Sequence, residues 1–191
     1  MNFKKILIIG SGTMGNGIAQ VCAQKGLSVT LSDVSSDNLE QAVKNIRWSI
    51  GKFVEKGKLQ EDLETIMGRI RTSTGLEAAA EADLIIEAVF EKIEVKQEVF
   101  KKIDPLISES TLLASNTSAI PISEIAAAVS RPQNFIGLHF FNPATMMNAV
   151  EVIKGIASSE ESVQSGGEFI RLIGKEPIMV KRDIAGFILN R

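Results

Sequence analysis

His139 is the only histidine in the chain, and Glu151 follows it twelve residues later, beyond the turn signal Asn142-Pro143. That spacing suits two adjacent strands joined by a turn, and it can bring the carboxylate beside the ring. A carboxylate on one imidazole nitrogen fixes the tautomer and favours the imidazolium that forms when the other nitrogen takes a proton. The pair is acid–base machinery for an alcohol. Ser115-Asn116-Thr117-Ser118 ends another strand-like run and offers hydroxyls and an amide at the same edge, although such clusters often only cap the next helix. Nothing around Ser118 resembles a nucleophile elbow, which argues against covalent acyl chemistry. With one cysteine and one histidine, no zinc or catalytic metal set is expected.

A second constellation lies at the amino terminus. Ile6-Leu7-Ile8-Ile9 leads into Gly10-Ser11-Gly12-Thr13-Met14-Gly15, then an apolar-faced segment with Met14, Ile18, Val21 and Cys22 at helical spacing, a second strand from Leu27, and the acid Asp33. In such a turn Gly10 permits the bend, Gly12 lets backbone approach a pyrophosphate, and Gly15 allows close helix–strand contact. The helix N-terminus adds unpaired N–H groups and positive dipole character. An acid at the end of the second strand accepts both ribose hydroxyls and repels a 2′-phosphate, so NAD is favoured over NADP. From this segment alone FAD stays open. Beside a nicotinamide, the His139–Glu151 pair has an obvious use, because a base can take the hydroxyl proton while hydride leaves the same carbon.

Several elements must position these groups. Leu39, Val43, Ile46, Ile50, Phe53 and Val54 predict a long amphipathic helix from Ser36 to Lys56. A shorter helix over 60–67 follows, so residues 36–69 form a helical hairpin where a simple nucleotide fold needs one crossover. Strands are expected at 70–73, 83–89, 111–116, 135–140, 150–153 and 177–180, and helices at 93–103, 122–129 and 161–172. Asp183 is a plausible N-cap for a last helix. The fold class is therefore α/β, a doubly wound, mostly parallel sheet of Rossmann type carrying an inserted helical hairpin.

Composition bounds the partners. The 191 residues carry a net charge of −2, which argues against nucleic-acid or anionic-membrane surfaces and for small-molecule and protein partners. No apolar run approaches the roughly 20 residues of a membrane helix, and no targeting signal precedes the first strand, so a cytoplasmic protein is expected. Cys22 sits on an apolar helix face and is expected to be a core residue.

Six ordered motifs carry a resemblance over residues 3–191. They are the glycine turn from Ile9, Glu87-Ala88-Val89 followed by Glu91, Ala114 to Ser118, Gly137 to Pro143, Val150 to Ile153, and Gly186-Phe187-Ile188-Leu189-Asn190-Arg191. The chain resembles the amino-terminal domain of the 3-hydroxyacyl-CoA dehydrogenases, most of all the 3-hydroxybutyryl-CoA branch. The resemblance implies NAD-dependent oxidation of short-chain (S)-3-hydroxyacyl-CoA, with His139 as general acid/base and Glu151 as its orienting partner. It further implies that Ser118 and Asn190 hydrogen-bond the substrate, that Asp33, Glu91, Lys96, Ser118 and Asn142 contact the cofactor, and that Ser49 and Lys56 contact coenzyme A. Thr145 and Asn148 stand where the family usually has proline and lysine. The expected division is a nucleotide-binding domain over 1–184, with 185–191 the truncated start of a helical domain that carries the homodimer interface in the family; the piece alone is expected to bind NAD and turn over weakly. Alternatives are a non-catalytic NAD-binding module, or a dehydrogenase of a free hydroxy acid or carnitine.

Overall fold

The computed structural model describes residues 2–184. Strand β1 (Lys5–Ile9) places Ile6 and Ile8 in the core on one face of the sheet and Leu7 and Ile9 in the core on the other. A strand buried on both faces must be apolar at both parities, which is the pattern of a parallel sheet covered by helices on each side. The remaining strands are β2 (Ser28–Ser32), β3 (Ile70–Ser73), β4 (Leu84–Glu87), β5 (Leu112–Ser115), β6 (Phe135–Phe140), β7 (Ala149–Lys154) and β8 (Glu176–Val180). They form one sheet in the order β3-β2-β1-β4-β5-β6-β7-β8. All neighbours from β3 through β6 pair in parallel, β7 runs antiparallel to β6, and β8 is parallel to β7. The winding direction reverses between β1 and β4. Ligands of open α/β sheets bind at such a switch point, beyond the carboxyl ends of the strands.

Helices α1 (Thr13–Gln24), α2 (Ser36–Glu55), α3 (Leu63–Met67), α4 (Ile93–Ile103), α5 (Ile122–Ala126) and α6 (Glu160–Leu172), with short 3-10 turns at Glu77–Glu81 and Pro132–Asn134, complete the described elements. The hairpin predicted over 36–69 is α2 with α3. Leu39, Ala42, Ile46 and Ile50 form the buried stripe of α2, and Ile66 and Met67 of α3 join the same core. Ser35 caps α2 through the Asn38 N–H, and Arg47 pairs with Glu64 across the hairpin. The second helix is shorter than the spacing predicts. It starts at Leu63 because the Asp62 carboxylate caps the Thr65 N–H at 2.9 Å. No helix of the described residues is long and apolar enough to cross a membrane.

Asp183 has a second use that the sequence does not announce. Among the described residues its carboxylate caps α5, accepting from the N–H groups of Ile122 and Ser123 at 2.7 Å each and from the Ser123 hydroxyl at 2.5 Å. Helix α5 needs an outside group because its own N-cap residue is Pro121, which carries no side-chain acceptor. Capping across 60 residues cannot be read from local spacing. The last helix itself falls in residues 185–191, outside the described residues. Asp183→Ala should therefore lower unfolding free energy by about 1–2 kcal/mol in urea titration, and an unchanged midpoint would show that water replaces the carboxylate at no cost.

Candidate active site

The glycine turn is fixed by contacts that leave no room for side chains. Gly10 adopts φ +102°, and a Cβ there would lie 2.5 Å from the Ala88 carbonyl oxygen of the neighbouring strand end. At Gly15 a Cβ would lie 1.7 Å from the Gly10 carbonyl oxygen, so α1 begins pressed against the turn itself. Gly12 is the opposite case, since an added Cβ there meets nothing within 4 Å. Open space therefore lies over the turn, and α1 begins at Gly12 with no side-chain cap on its first N–H groups. An anion such as a pyrophosphate fits that space.

Asp33, immediately after β2, is braced. One carboxylate oxygen accepts from the Ser11 N–H at 2.9 Å and the Ser11 hydroxyl at 2.8 Å, and the other accepts from the Ser35 N–H at 3.0 Å. Burial pushes the Asp33 carboxyl up, but the Ser11, Ser35 and Asn38 hydrogen bonds outweigh it and hold the group below the usual aspartate value. Val34 and Phe90, at the ends of β2 and β4, are almost fully exposed apolar side chains flanking this turn.

The chemistry-bearing pair sits where β7 turns back on β6. His139 and Glu151 are directly opposed in the antiparallel ladder, both are buried, and His139 Nδ1 lies 2.7 Å from Glu151 Oε2. A carboxylate only accepts, so Nδ1 carries the proton and donates it, and the Nε2 lone pair faces the Ser118 hydroxyl at 3.2 Å. Asn116 accepts the Phe140 N–H through Oδ1 at 2.9 Å, tying the end of β5 to the end of β6. Phe141 packs edge-on against the imidazole at 4.6 Å. Thr13 and Met14 of the glycine turn, Ser118, His139 and Asn142 line one cleft of about 400 Å³. A neighbouring cleft of about 280 Å³ shares Thr13 and Asn142 and reaches Trp48, Ser49 and Thr145.

Among the other residues singled out from sequence, Glu91 accepts from the Thr117 hydroxyl and the Ser118 N–H. Lys96 is fully buried behind it, paired with both Glu87 and Glu91. Lys56 ends α2 and is exposed. Asn190 lies outside the described residues. Burial pushes the Cys22 thiol up to about 12, in keeping with a core residue. Sequence reasoning missed the roles of Ser11, Glu87, Ser115 and Thr117. Glu87 alone carried a legible signal, a charged residue closing a strand of buried aliphatics.

The family model described as "3-hydroxyacyl-CoA dehydrogenase, NAD binding domain" matches residues 5–184. The chain belongs to this family. Its cofactor is accordingly NAD. The chain is 42% identical over 187 residues to a probable 3-hydroxybutyryl-CoA dehydrogenase of Deinococcus radiodurans, covering 98% of this chain and 67% of that protein. It superposes on the crystal structure of (S)-3-hydroxybutyryl-CoA dehydrogenase PaaH1 from Ralstonia eutropha with a TM-score of 0.95 at 39% identity, covering 100% of this chain and 67% of that one. A 5-formyl-3-hydroxy-2-methylpyridine 4-carboxylic acid 5-dehydrogenase, described as an NAD+-dependent dismutase, gives a TM-score of 0.91 at 36% identity, covering 100% of this chain and 61% of that one. The chain thus spans about two thirds of the length of these 3-hydroxybutyryl-CoA dehydrogenases.

Asp33 yields a test. Folding lowers its pKa, so the stability it contributes is fully present above the unfolded value and is lost as pH falls through the folded one. Asp33 should therefore leave NADH affinity flat between about pH 5 and 8. Asp33→Asn should weaken NADH binding by about tenfold in calorimetric titration, the size expected for a charge-assisted hydrogen bond. Unchanged affinity would remove Asp33 from the cofactor site.

Proposed function

We propose that this chain is the nucleotide-binding and catalytic part of an NAD-dependent (S)-3-hydroxyacyl-CoA dehydrogenase acting on short acyl chains, 3-hydroxybutyryl-CoA foremost. The observation that carries the reading is the shared cleft. The glycine-turn residues Thr13 and Met14 and His139, backed by the buried Glu151, face the same space, so a cofactor held by the turn and an alcohol held by the imidazole meet there. The names of the relatives supply the acyl-CoA class.

In this reading the first N–H groups of α1 hold the pyrophosphate, Asp33 accepts the ribose hydroxyls, and Val34 and Phe90 give the adenine apolar surface. Bound NAD supplies the hydride acceptor. His139 Nε2 takes the proton of the 3-hydroxyl as C3 gives up hydride, leaving a 3-oxoacyl-CoA. Glu151 stabilises the resulting imidazolium through Nδ1. In the reverse direction His139 returns that proton to the forming alkoxide. Ser118 holds the reacting oxygen near Nε2, and Asn190 serves the thioester side. Glu91 and Asn142 border the nicotinamide half. Ser49, which lines the smaller cleft, and the exposed Lys56 at the end of α2 suit the phosphate-rich carrier. We place the domain boundary at 184/185, a reading supported by a family match over residues 5–184, and assign homodimer formation to a helical domain beyond it.

A second reading is motivated by the similarity to a pyridine-carboxylic acid dehydrogenase, in which the substrate is not a thioester and Ser49 and Lys56 are incidental. Comparing acetoacetyl-CoA with free acetoacetate as oxidants of NADH at 340 nm separates the two, because a preference for acetoacetate would overturn the acyl-CoA assignment. In the active enzyme His139→Gln should lower turnover by about 10² to 10⁴-fold, the usual worth of a general base, while NADH binds as before. Retained turnover would leave His139 a mere core residue.

A further inference from the structure

The smaller cleft, of about 280 Å³, is bordered by α1, α2 and the turn that joins β6 to β7. Its floor is tight. A Cβ on Gly17 would lie 3.1 Å from the Cβ of Ala144, so α1 and the turn meet there. Gln20 stands one helical turn beyond Gly17, on the same face of α1. Its side chain borders the cleft and is 2% exposed, and its amide nitrogen Nε2 has no hydrogen-bond partner among the described residues. Buried polar groups of native proteins are almost always paired, and one left open beside a cleft marks the place of a missing partner.

The rest of the lining says what kind of partner. The amides of Asn16, Gln20, Asn45 and Asn142 border the cleft with the Ser49 hydroxyl and Trp48, and no ionisable side chain does so among the described residues. The Asn45 oxygen is engaged by Gln41 at 2.9 Å, so what Asn45 can add is a donor. Amides pair well with amides, whereas a neutral lining gives a phosphate no opposite charge. Trp48 is 69% exposed and supplies an aromatic wall. Thr13 and Asn142 line this cleft and the His139 cleft alike, so one extended ligand can occupy both.

We infer that the smaller cleft holds the neutral pantetheine arm of the thioester carrier, and that Gln20 and Trp48 select it. The Gln20 amide pairs with an amide group of the arm, and Trp48 covers the carbon that bears its two methyl groups. Two amides, a hydroxyl and that apolar carbon are the chemistry this lining complements. The carrier's phosphates are left to charged groups outside the cleft. The inference rests on the dehydrogenase reading above and goes beyond it in giving Gln20 and Trp48 a part in choosing the substrate.

The test is substrate truncation. Gln20→Leu is prepared in the active enzyme, and NADH oxidation is followed with acetoacetyl-CoA and with the S-methyl thioester of acetoacetate, which has the same reacting end and no amide. Losing a hydrogen bond made equally in the ground and transition states raises KM and leaves kcat alone. Gln20→Leu should therefore raise KM for acetoacetyl-CoA by about tenfold, and KM for the methyl thioester by no more than about twofold. Because Nε2 has no partner in the free protein, the thermal midpoint should stay where it was or rise. Trp48→Ala, at an exposed position, should raise KM for acetoacetyl-CoA alone by about fivefold, and it carries the test if Gln20→Leu does not fold.

Binding can also be read without turnover. Trp48 is the one tryptophan among the 191 residues, which include no tyrosine. Pantetheine titrated in the absence of NADH should shift its emission, should do nothing to Trp48→Phe, and should need about tenfold more ligand in Gln20→Leu. Equal KM losses with the two thioesters would overturn the proposal, as would a lowered thermal midpoint in Gln20→Leu or a Trp48 emission that pantetheine leaves unmoved. An enzyme that binds pantetheine at Trp48 yet does not oxidise NADH with acetoacetyl-CoA would instead sink the dehydrogenase reading and keep the cleft assignment.

Discussion

The hydrogen bond between His139 and Glu151 depends on a single topological event, the antiparallel return of β7 against β6 at the end of an otherwise parallel run. In a parallel neighbour, reaching an adjacent strand needs a crossover of a dozen or more residues. A reversal allows a short turn, and the ladder then sets the ring and the carboxylate face to face at 2.7 Å. Both side chains are buried among strands, so neither has to give up much freedom when the ring becomes charged. In the proposed reaction the sheet thus positions the base before any substrate arrives.

The same sheet edge gathers everything else. Strand ends β1, β2, β4, β5 and β6 deliver the glycine turn, Asp33, Glu87, Ser115 and His139 to one rim, because parallel strands all present their carboxyl ends together. Loops leaving that rim would be loose on their own. Cross-links made of side chains hold them: Ser11 to Asp33, Asn116 to the Phe140 N–H, and Glu91 to the Thr117–Ala119 loop. Each joins two strand ends that are neighbours in space and 22 to 28 residues apart in the chain. The rim is braced by polar contacts because the apolar layers stop where the strands do.

That distinction also explains what could be read from the sequence. Strand β6 and helix α4 appear where apolar periodicity places them, since burial on a regular element leaves a periodic trace. The glycine turn was legible because three positions have backbone reasons to lack a side chain. His139 and Glu151 could be paired from types and spacing, being joined by one turn. Long-range polar contacts leave no such trace. Nothing near Asp183 announces that it caps a helix starting at Ile122, and nothing near Ser11 announces that it donates to Asp33. The burial of Lys96 leaves no local trace either, for it shares its helix with Glu94, Gln97 and Glu98 and is covered only because the strand beneath it ends in the Glu87 carboxylate. Glu87 was the clue to that pairing.

The two halves of the site solve recognition by opposite means. At the glycine turn, the proposed phosphate side, the protein offers backbone, because side chains at Gly10 and Gly15 would collide with carbonyls 2.5 and 1.7 Å away and one at Gly12 would enter open space that suits an anion. Around His139 it offers side chains paired internally: Glu151 hydrogen-bonded to His139, and Glu87 and Glu91 against Lys96. A backbone cradle is insensitive to protonation and binds whether or not the chemistry proceeds. A side-chain network can alter its charge at one atom, Nε2, while the rest stays fixed. Binding and proton transfer are therefore separable in this fold, and substitution at His139 is the place where they should come apart.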